Sequence, residues 1–249
     1  MCATCGCSSE TILELHEHNH EHGHDHDHDH SHSKTRTVTL EQAVLARNDA
    51  LAERNRKWLA ERSILAVNLM SSPGAGKTTL LERTIRELGA ELRVSVVEGD
   101  QETVLDADRI RATGAPAIQI NTGQGCHLDA KMLARGLQTL DPPEGSVVLI
   151  ENVGNLVCPA LFDLGEQARV VITSVTEGAE KPRKYPQMFR AADLVLLNKI
   201  DLLPYVKFDV DDFLDGARRA NPGVEVLQLS ATTGDGIADW YGWLRARLP

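Results

Sequence analysis

"ILAVNLMSSPGAGKTTLLERTIREL", residues 64–88, decides the fold. Its first part, 64–70, is a nearly continuous apolar run, which fits a strand covered on both faces. Its last part, "TTLLERTIREL", has the spacing of a helix with one apolar face. Between them "SSPGAGKTTL" (71–80) ends in Gly76-Lys77-Thr78. Strand, glycine-rich turn and helix together make a phosphate loop. The main-chain N–H groups of Gly74, Ala75 and Gly76 close around phosphate oxygens, and Thr79 continues the loop into the helix N-terminus. Lys77 brings a cation to the β- and γ-phosphates, and Thr78 offers its hydroxyl to Mg²⁺. The pattern G-x-x-x-x-G-K-[ST] asks for Gly at 71, where this chain has Ser71. Most phosphate contacts come from Gly74 onward, so the reading stands.

Outward from this loop, strands and helices alternate. "RVSVVE" (93–98), "AIQI" (117–120), "SVVLIEN" (146–152), "RVVITSV" (169–175), "DLVLLNK" (193–199) and "VEVLQLS" (224–230) read as further strands, with helical patterns between most of them. The predicted class is α/β: a P-loop NTPase with a mostly parallel sheet and helices on both faces. In such sheets ligands gather at the carboxyl ends of the strands. Upstream, "TLEQAVLARNDALAERNRKWLAERS" predicts a leading helix over 36–62. Thr39 and Gln42 stand at capping-box spacing, and Val44, Leu51 and Trp58 recur every seventh residue.

The base is read from "LVLLNKID" (194–201). A carboxylate at Asp201 can accept from both N1–H and N2–H₂ of guanine, a donor pair that adenine lacks. The Lys199 stem can lie over the ring, and Asn198 can tie loops together. In "LSATTGDG" (229–236), Ser230 and Ala231 end the next strand, and the Ala231 N–H is expected to donate to guanine O6. The nucleotide is therefore GTP. Asp100, in "VEGDQET", and Glu151, in "LIENVGN", are the acids expected to hold Mg²⁺ directly or through water. Gly154 is expected to offer its N–H to the γ-phosphate. Asn155 follows, where Ras-like GTPases carry a water-positioning Gln. Slow intrinsic turnover is expected, well below ~1 s⁻¹ and nearer the unassisted Ras range of ~10⁻⁴–10⁻³ s⁻¹.

The 249 residues carry a formal charge of −10, and seven acidic residues with no Lys or Arg precede Lys34. No basic patch offers itself to nucleic acid or to an anionic membrane surface. No apolar stretch approaches the ~20 residues of a membrane helix, and no positively charged segment followed by an apolar run opens the sequence, so a secretory signal is not expected. A cytoplasmic location is expected, where thiols stay reduced. Residues 1–35 hold few large apolar side chains and are expected to form a disordered tail, leaving a GTPase domain over 36–249. That tail is rich in metal ligands. Cys2, Cys5 and Cys7 crowd its start, and removal of Met1 would add the Cys2 α-amine as a fourth N/S donor, a set that suits square-planar Ni²⁺ while also binding Zn²⁺ or Cu⁺. Then come His16, His18, His20, His22, His24, His26, His28, His30 and His32, alternating with acidic and small residues. Their imidazoles predict weak storage of many borderline ions. Within the domain, Cys126-His127 and Cys158 should leave the same sheet edge as the phosphates, three of the four ligands of a tetrahedral or distorted site.

These motifs together resemble the family of HypB, the hydrogenase nickel-incorporation GTPase. The likeness rests on Cys-x-x-Cys-Gly-Cys, the histidine string, Ser-Ser-Pro-Gly-x-Gly-Lys-Thr-Thr, Gly-Asp-Gln, Gly-Cys-His-Leu, Glu-Asn-Val-Gly-Asn-Leu-Val-Cys-Pro, Lys-Pro-x-Lys-Tyr-Pro and Asn-Lys-x-Asp, and it spans nearly the whole chain. The family shares Ser71. The resemblance implies a GTPase that delivers nickel to the [NiFe]-hydrogenase large-subunit precursor. It implies a GTP-promoted homodimer with Cys126, His127 and Cys158 near the subunit interface, a HypA-type nickel chaperone as partner, and a tight nickel site at the N-terminal thiols. Two other readings compete with it. A urease-accessory GTPase would carry Cys-Pro-His, but here Cys158-Pro159 is followed by Ala160. A nickel-storage protein with an uncoupled GTPase domain would use the tail alone.

Overall fold

The computed structural model describes residues 32–100, 105–123 and 125–249. Its centre is a seven-stranded sheet in the order β3-β2-β4-β1-β5-β6-β7. The strands are β1 (Leu65–Ser71), β2 (Val94–Asp100), β3 (Ala117–Asn121), β4 (Val147–Glu151), β5 (Ala168–Ser174), β6 (Leu194–Asn198) and β7 (Glu225–Gln228). Each of the seven runs read as a strand in the sequence is one, shifted at its ends by a residue or two. Every described pairing is parallel. All seven carboxyl ends therefore lie along one edge, and β1 at the centre carries the phosphate loop.

Both faces of the central strands are covered, which is why β1, β4, β5 and β6 read as nearly continuous apolar runs. On one face Leu65, Val67 and Leu69 of β1 pack with Leu80, Leu81, Ile85 and Leu88 of α2 (Lys77–Leu88) and with Trp240 and Leu244 of α8 (Ile237–Arg245). The Trp240 indole N–H donates to Thr84 Oγ1 at 3.0 Å, so its one polar atom is satisfied in the core. On the other face Ala66 and Ile150 meet α4 (Ala130–Leu140) and the leading helix, α1. Further along that face Met70, Val171 and Val195 meet α6 (Pro186–Arg190) and α7 (Val210–Ala220).

The leading helix departs from expectation in two ways. It runs His32–Glu61, starting four residues before the expected 36, and Thr39 is an interior residue rather than a cap. Neither Gly nor Pro stands between His32 and Thr39 to stop it. Its buried stripe is also not Val44–Leu51–Trp58, which is only half-buried, but Asn48, Ala52, Asn55 and Leu59. The expected ligands Cys2, Cys5, Cys7 and the histidines from His16 to His30 lie outside the described residues.

Candidate nucleotide and metal site

At the carboxyl edge a cavity of about 510 Å³ opens over β1, lined by the phosphate loop, Glu98, Gly99 and Asp100 of β2, Arg109 of α3 (Leu105–Arg111), Glu151 to Gly154, and Lys199. The loop depends on two glycines with left-handed backbone, Gly74 (φ 77°) and Gly76 (φ 98°). A Cβ on Gly76 would fall 2.5 Å from the Asn198 carboxamide nitrogen. Ser71, the departure from the usual loop pattern, has a visible use. It is fully buried, and its Oγ accepts from Lys77 Nζ at 2.7 Å. A Gly there would leave the ammonium without that acceptor. Thr78 Oγ1 donates to Glu151 Oε1 at 2.8 Å. This hydroxyl and carboxylate, with Asp100 on the same wall, are hard oxygen donors of the kind Mg²⁺ takes. Ser72 is hydrogen-bonded to Glu177, which also accepts from Ser174 N at 3.1 Å and so ties the loop to the end of β5.

On the base side, Asn198 Nδ2 donates to Ala75 O at 2.9 Å, and Lys199 Nζ donates to Gly74 O at 2.7 Å. Lys199 adopts a left-handed backbone (φ 61°), a conformation with a cost for a non-glycine residue. Asp201 Oδ1 is buried without a hydrogen-bond partner among the described residues. An acceptor so placed fits the guanine N–H pair. The Ala231 N–H, expected to donate to guanine O6, here donates to Asn198 Oδ1 at 3.0 Å. Asn198 can accept it because its Oδ1 also caps Lys199 N and its amide faces Ala75. Ser230 is buried and accepts from Thr233 N at 3.0 Å, which shapes the same turn.

Beside this cavity, Cys126, His127 and Cys158 bring their ligand atoms within 4.8 Å of one another. The two sulfurs are 3.0 Å apart, and His127 Nδ1 is 3.7 Å from Cys126 Sγ. Both cysteines are thiols. The pair Cys126-His127 leaves β3, while Cys158 follows β4, and β2 lies between those strands. The first arm crosses over β2 because Gly99 has no side chain: a Cβ there would meet Leu128 at 2.6 Å. His127 stacks on Phe162 with ring centroids 4.0 Å apart. Burial holds its pKa below the ordinary value, partly opposed by Asp129. A neutral imidazole with an available lone pair, next to two thiols, is a donor set for a borderline or soft ion. The helix that follows this pair, α4, starts at Ala130, where Asp129 accepts from Met132 N and caps it.

Sequence reading missed the residues that join the two sites. Asn152 lines the nucleotide cavity, and its Oδ1 accepts from Leu128 N, next to His127, at 3.1 Å. Asn155 turns back onto its own main chain. Its Oδ1 accepts from Val157 N at 2.7 Å and from Cys158 N at 3.3 Å, capping the short 3-10 turn Cys158–Ala160. Asn after a Gly is a frequent local cap, and that was the available signal.

The fold and the cavity define a P-loop nucleotide-binding protein with a thiol–imidazole cluster beside its phosphate loop. The family model for the CobW/HypB/UreG nucleotide-binding domain matches residues 65–228. The chain belongs to that family, and within it to the hydrogenase maturation factors HypB. It is 57% identical to hydrogenase maturation factor HypB of Azotobacter vinelandii, over 82% of this chain and 68% of that protein. With the protein of the same name from Escherichia coli K12 it shares 55% identity, covering 84% of this chain and 72% of the relative. Among solved structures, HypB from Archaeoglobus fulgidus superposes with a TM-score of 0.77 at 43% identity, over 82% of this chain and all of that one. HypB from Helicobacter pylori in complex with nickel gives 0.75 at 35% identity, over 81% and 94%. No helix of the described residues is long and apolar enough to cross a membrane.

Proposed function

We propose that this chain is a cytoplasmic GTPase that carries nickel to the [NiFe]-hydrogenase large-subunit precursor, acting as a GTP-promoted homodimer with a HypA-type nickel chaperone. The observation that carries the reading is a single short run of chain. Glu151 bonds Thr78 of the phosphate loop, Asn152 and Gly154 line the nucleotide cavity, Asn155 caps the turn that holds Cys158, and Cys158 meets Cys126 and His127. A nucleotide that orders this run also orders a metal ligand. The nickel-bound Helicobacter pylori relative supports nickel as the cargo, although the same donors accept Zn²⁺.

In this mechanism Gly74, Ala75, Gly76 and Thr79 cradle the phosphates through their main chain, and Lys77 moves from Ser71 to the β- and γ-phosphates. Thr78, Glu151 and Asp100 would hold Mg²⁺, which would supply charge neutralisation on the phosphates. Asp201 and Lys199 select guanine. Asn155 is committed to its own turn, so water is poorly positioned and unassisted hydrolysis is slow. The test is a nickel titration of reduced full-length protein and of Cys126→Ala/Cys158→Ala, each with and without a non-hydrolysable GTP analogue. An analogue-dependent change in nickel affinity that the double variant abolishes is the expected result. No change in the unsubstituted protein refutes coupling and leaves storage beside an independent GTPase.

A further inference from the structure

The buried stripe of α1 contains two asparagines where a helix packed on a sheet would ordinarily place apolar residues. Asn48 is 6% exposed and Asn55 5%. Asn48 donates to Asp163 O at 2.7 Å, and its Oδ1 accepts from Ala130 N at 2.9 Å. Asn55 donates to Ala130 O and to Leu164 O, both at 2.8 Å. Both side chains thus bridge the same two stretches of main chain. One stretch, at Ala130, follows directly on Cys126 and His127. The other, at Asp163 and Leu164, follows on Cys158. Arg56, one residue beyond Asn55, donates from its Nη2 to both carboxylate oxygens of Asp163, at 3.0 and 2.8 Å.

The two arms arise from strands that are not neighbours, so no sheet ladder fixes their separation. The first arm is pinned at Leu128 by Asn152 and at Ala130 by α1. The second is pinned by Asn155 near its start and by α1 at its end. Asn152 and Asn155 belong to the run that also lines the nucleotide cavity. Asn48 and Asn55 touch nothing in that cavity.

We propose that Asn48 and Asn55 are positioning residues for the metal site: through Ala130, Asp163 and Leu164 they set the distance between the Cys126–His127 arm and the Cys158 arm. The proposal rests on the metal reading of these three residues. Partners hydrogen-bonded directly to metal ligands alter affinity by roughly 10- to 100-fold when removed, and Asn48 and Asn55 act on the same ligands through the main chain of their arms.

The test uses the full chain with Cys2, Cys5 and Cys7 changed to Ser, which leaves Cys126, His127 and Cys158 as the thiol-bearing site. Nickel and cobalt are titrated, following the thiolate-to-metal absorption band, and GTP-analogue affinity is measured in parallel. Asn48→Ala and Asn55→Ala are each expected to weaken metal binding about tenfold or more and to shift the band, with analogue affinity held within about twofold. A merely structural role would lower melting temperature and nucleotide affinity without changing the band. Asn48→Asp covers the case in which an alanine variant does not fold. It keeps the shape and the acceptor for Ala130 N–H but cannot donate to Asp163 O, and a smaller shift of the same band is expected. Folded variants with unchanged affinity and band overturn the proposal. A parent that Cys126→Ala leaves unchanged in both affinity and band sinks the metal reading, and the proposal with it.

Discussion

At the scale of single residues, the site is a set of side chains whose uses are separable. Asp201 is the clearest. Its buried Oδ1 lacks a partner among the described residues, and a carboxylate accepts from two guanine donors where a carboxamide offers its NH₂ to a carbonyl. Asp201→Asn is expected to weaken GTP by about 2–3 kcal/mol, roughly 30- to 150-fold, and to favour a nucleotide with a carbonyl at C2. Competition between GTP and xanthosine triphosphate reads this directly, and unchanged preference would remove Asp201 from base recognition. Gly154 is the second case. A Cβ there would lie 3.1 Å from Pro73 Cγ and 3.1 Å from Pro73 N, pressing on the phosphate loop itself. Gly154→Ala is expected to slow hydrolysis about tenfold by displacing the loop a few tenths of an ångström. A single-turnover assay at saturating GTP checks it, and a normal rate would detach Gly154 from the switch. Lys77, Thr78 and the Asn198–Asp201 motif were legible because each lies at a fixed offset within a short local pattern. Ser71 was read as a harmless departure because its partner, Lys77 Nζ, is found only once the loop is folded back on the strand. The Ala231 amide likewise has a partner, Asn198 Oδ1, on a side chain distant in sequence that no local pattern shows.

At the scale of elements, the central strands were legible because burial on both faces leaves a nearly continuous apolar run, short and bounded by turn residues. The face of α1 was not. Heptad spacing pointed to Val44, Leu51 and Trp58, while the structure buries Asn48, Ala52, Asn55 and Leu59. Polar side chains that satisfy main-chain groups across 75 to 115 residues leave no local periodicity to read. The same helix end carries a testable electrostatic contact. Burial pushes the Asp163 carboxyl up, but the Gly165 N–H, the Arg56 guanidinium and Arg169 outweigh it and hold the group below its ordinary 3.8. A depressed carboxylate stabilises the fold above its unfolded value, and that contribution is lost as pH falls through the folded value. Both partners are about one-third exposed, at 38% for Arg56 and 30% for Asp163, so the effect is screened. Asp163→Asn is expected to cost about 0.5–1 kcal/mol near neutral pH. The gap between variant and parent should hold down to about pH 4 and narrow below it. Urea unfolding at pH 7, 4.5 and 3.5 measures this. A gap that widens toward low pH would show that the carboxylate is not the stabilising form.

At the scale of the whole molecule, the parallel sheet turns seven strand ends toward one edge, and the order β3-β2-β4-β1 sets the metal arms beside the phosphate loop rather than across from it. β4 is the shared element. Its last residue, Glu151, bonds Thr78, and the chain beyond it reaches Leu128 through Asn152, Pro73 through Gly154 and the Cys158 turn through Asn155. Two ligands that lean on one run of chain cannot be independent if each orders it. Linkage then requires that the factor by which metal changes affinity for a GTP analogue equal the factor by which the analogue changes affinity for metal. Couplings of this kind are typically about 1–3 kcal/mol, or roughly 5- to 150-fold. The expected outcome is a preference of the metal-loaded protein between GTP analogue and GDP that differs from that of the metal-stripped protein. Paired titrations in each order should return the same factor, and Cys158→Ala should bring it to about one, because the arm that responds to Asn155 then holds no ligand. Equal nucleotide affinities with and without metal would mean that the run from Glu151 to Cys158 is rigid in every state. The cluster and the GTPase would then be neighbours without a common switch.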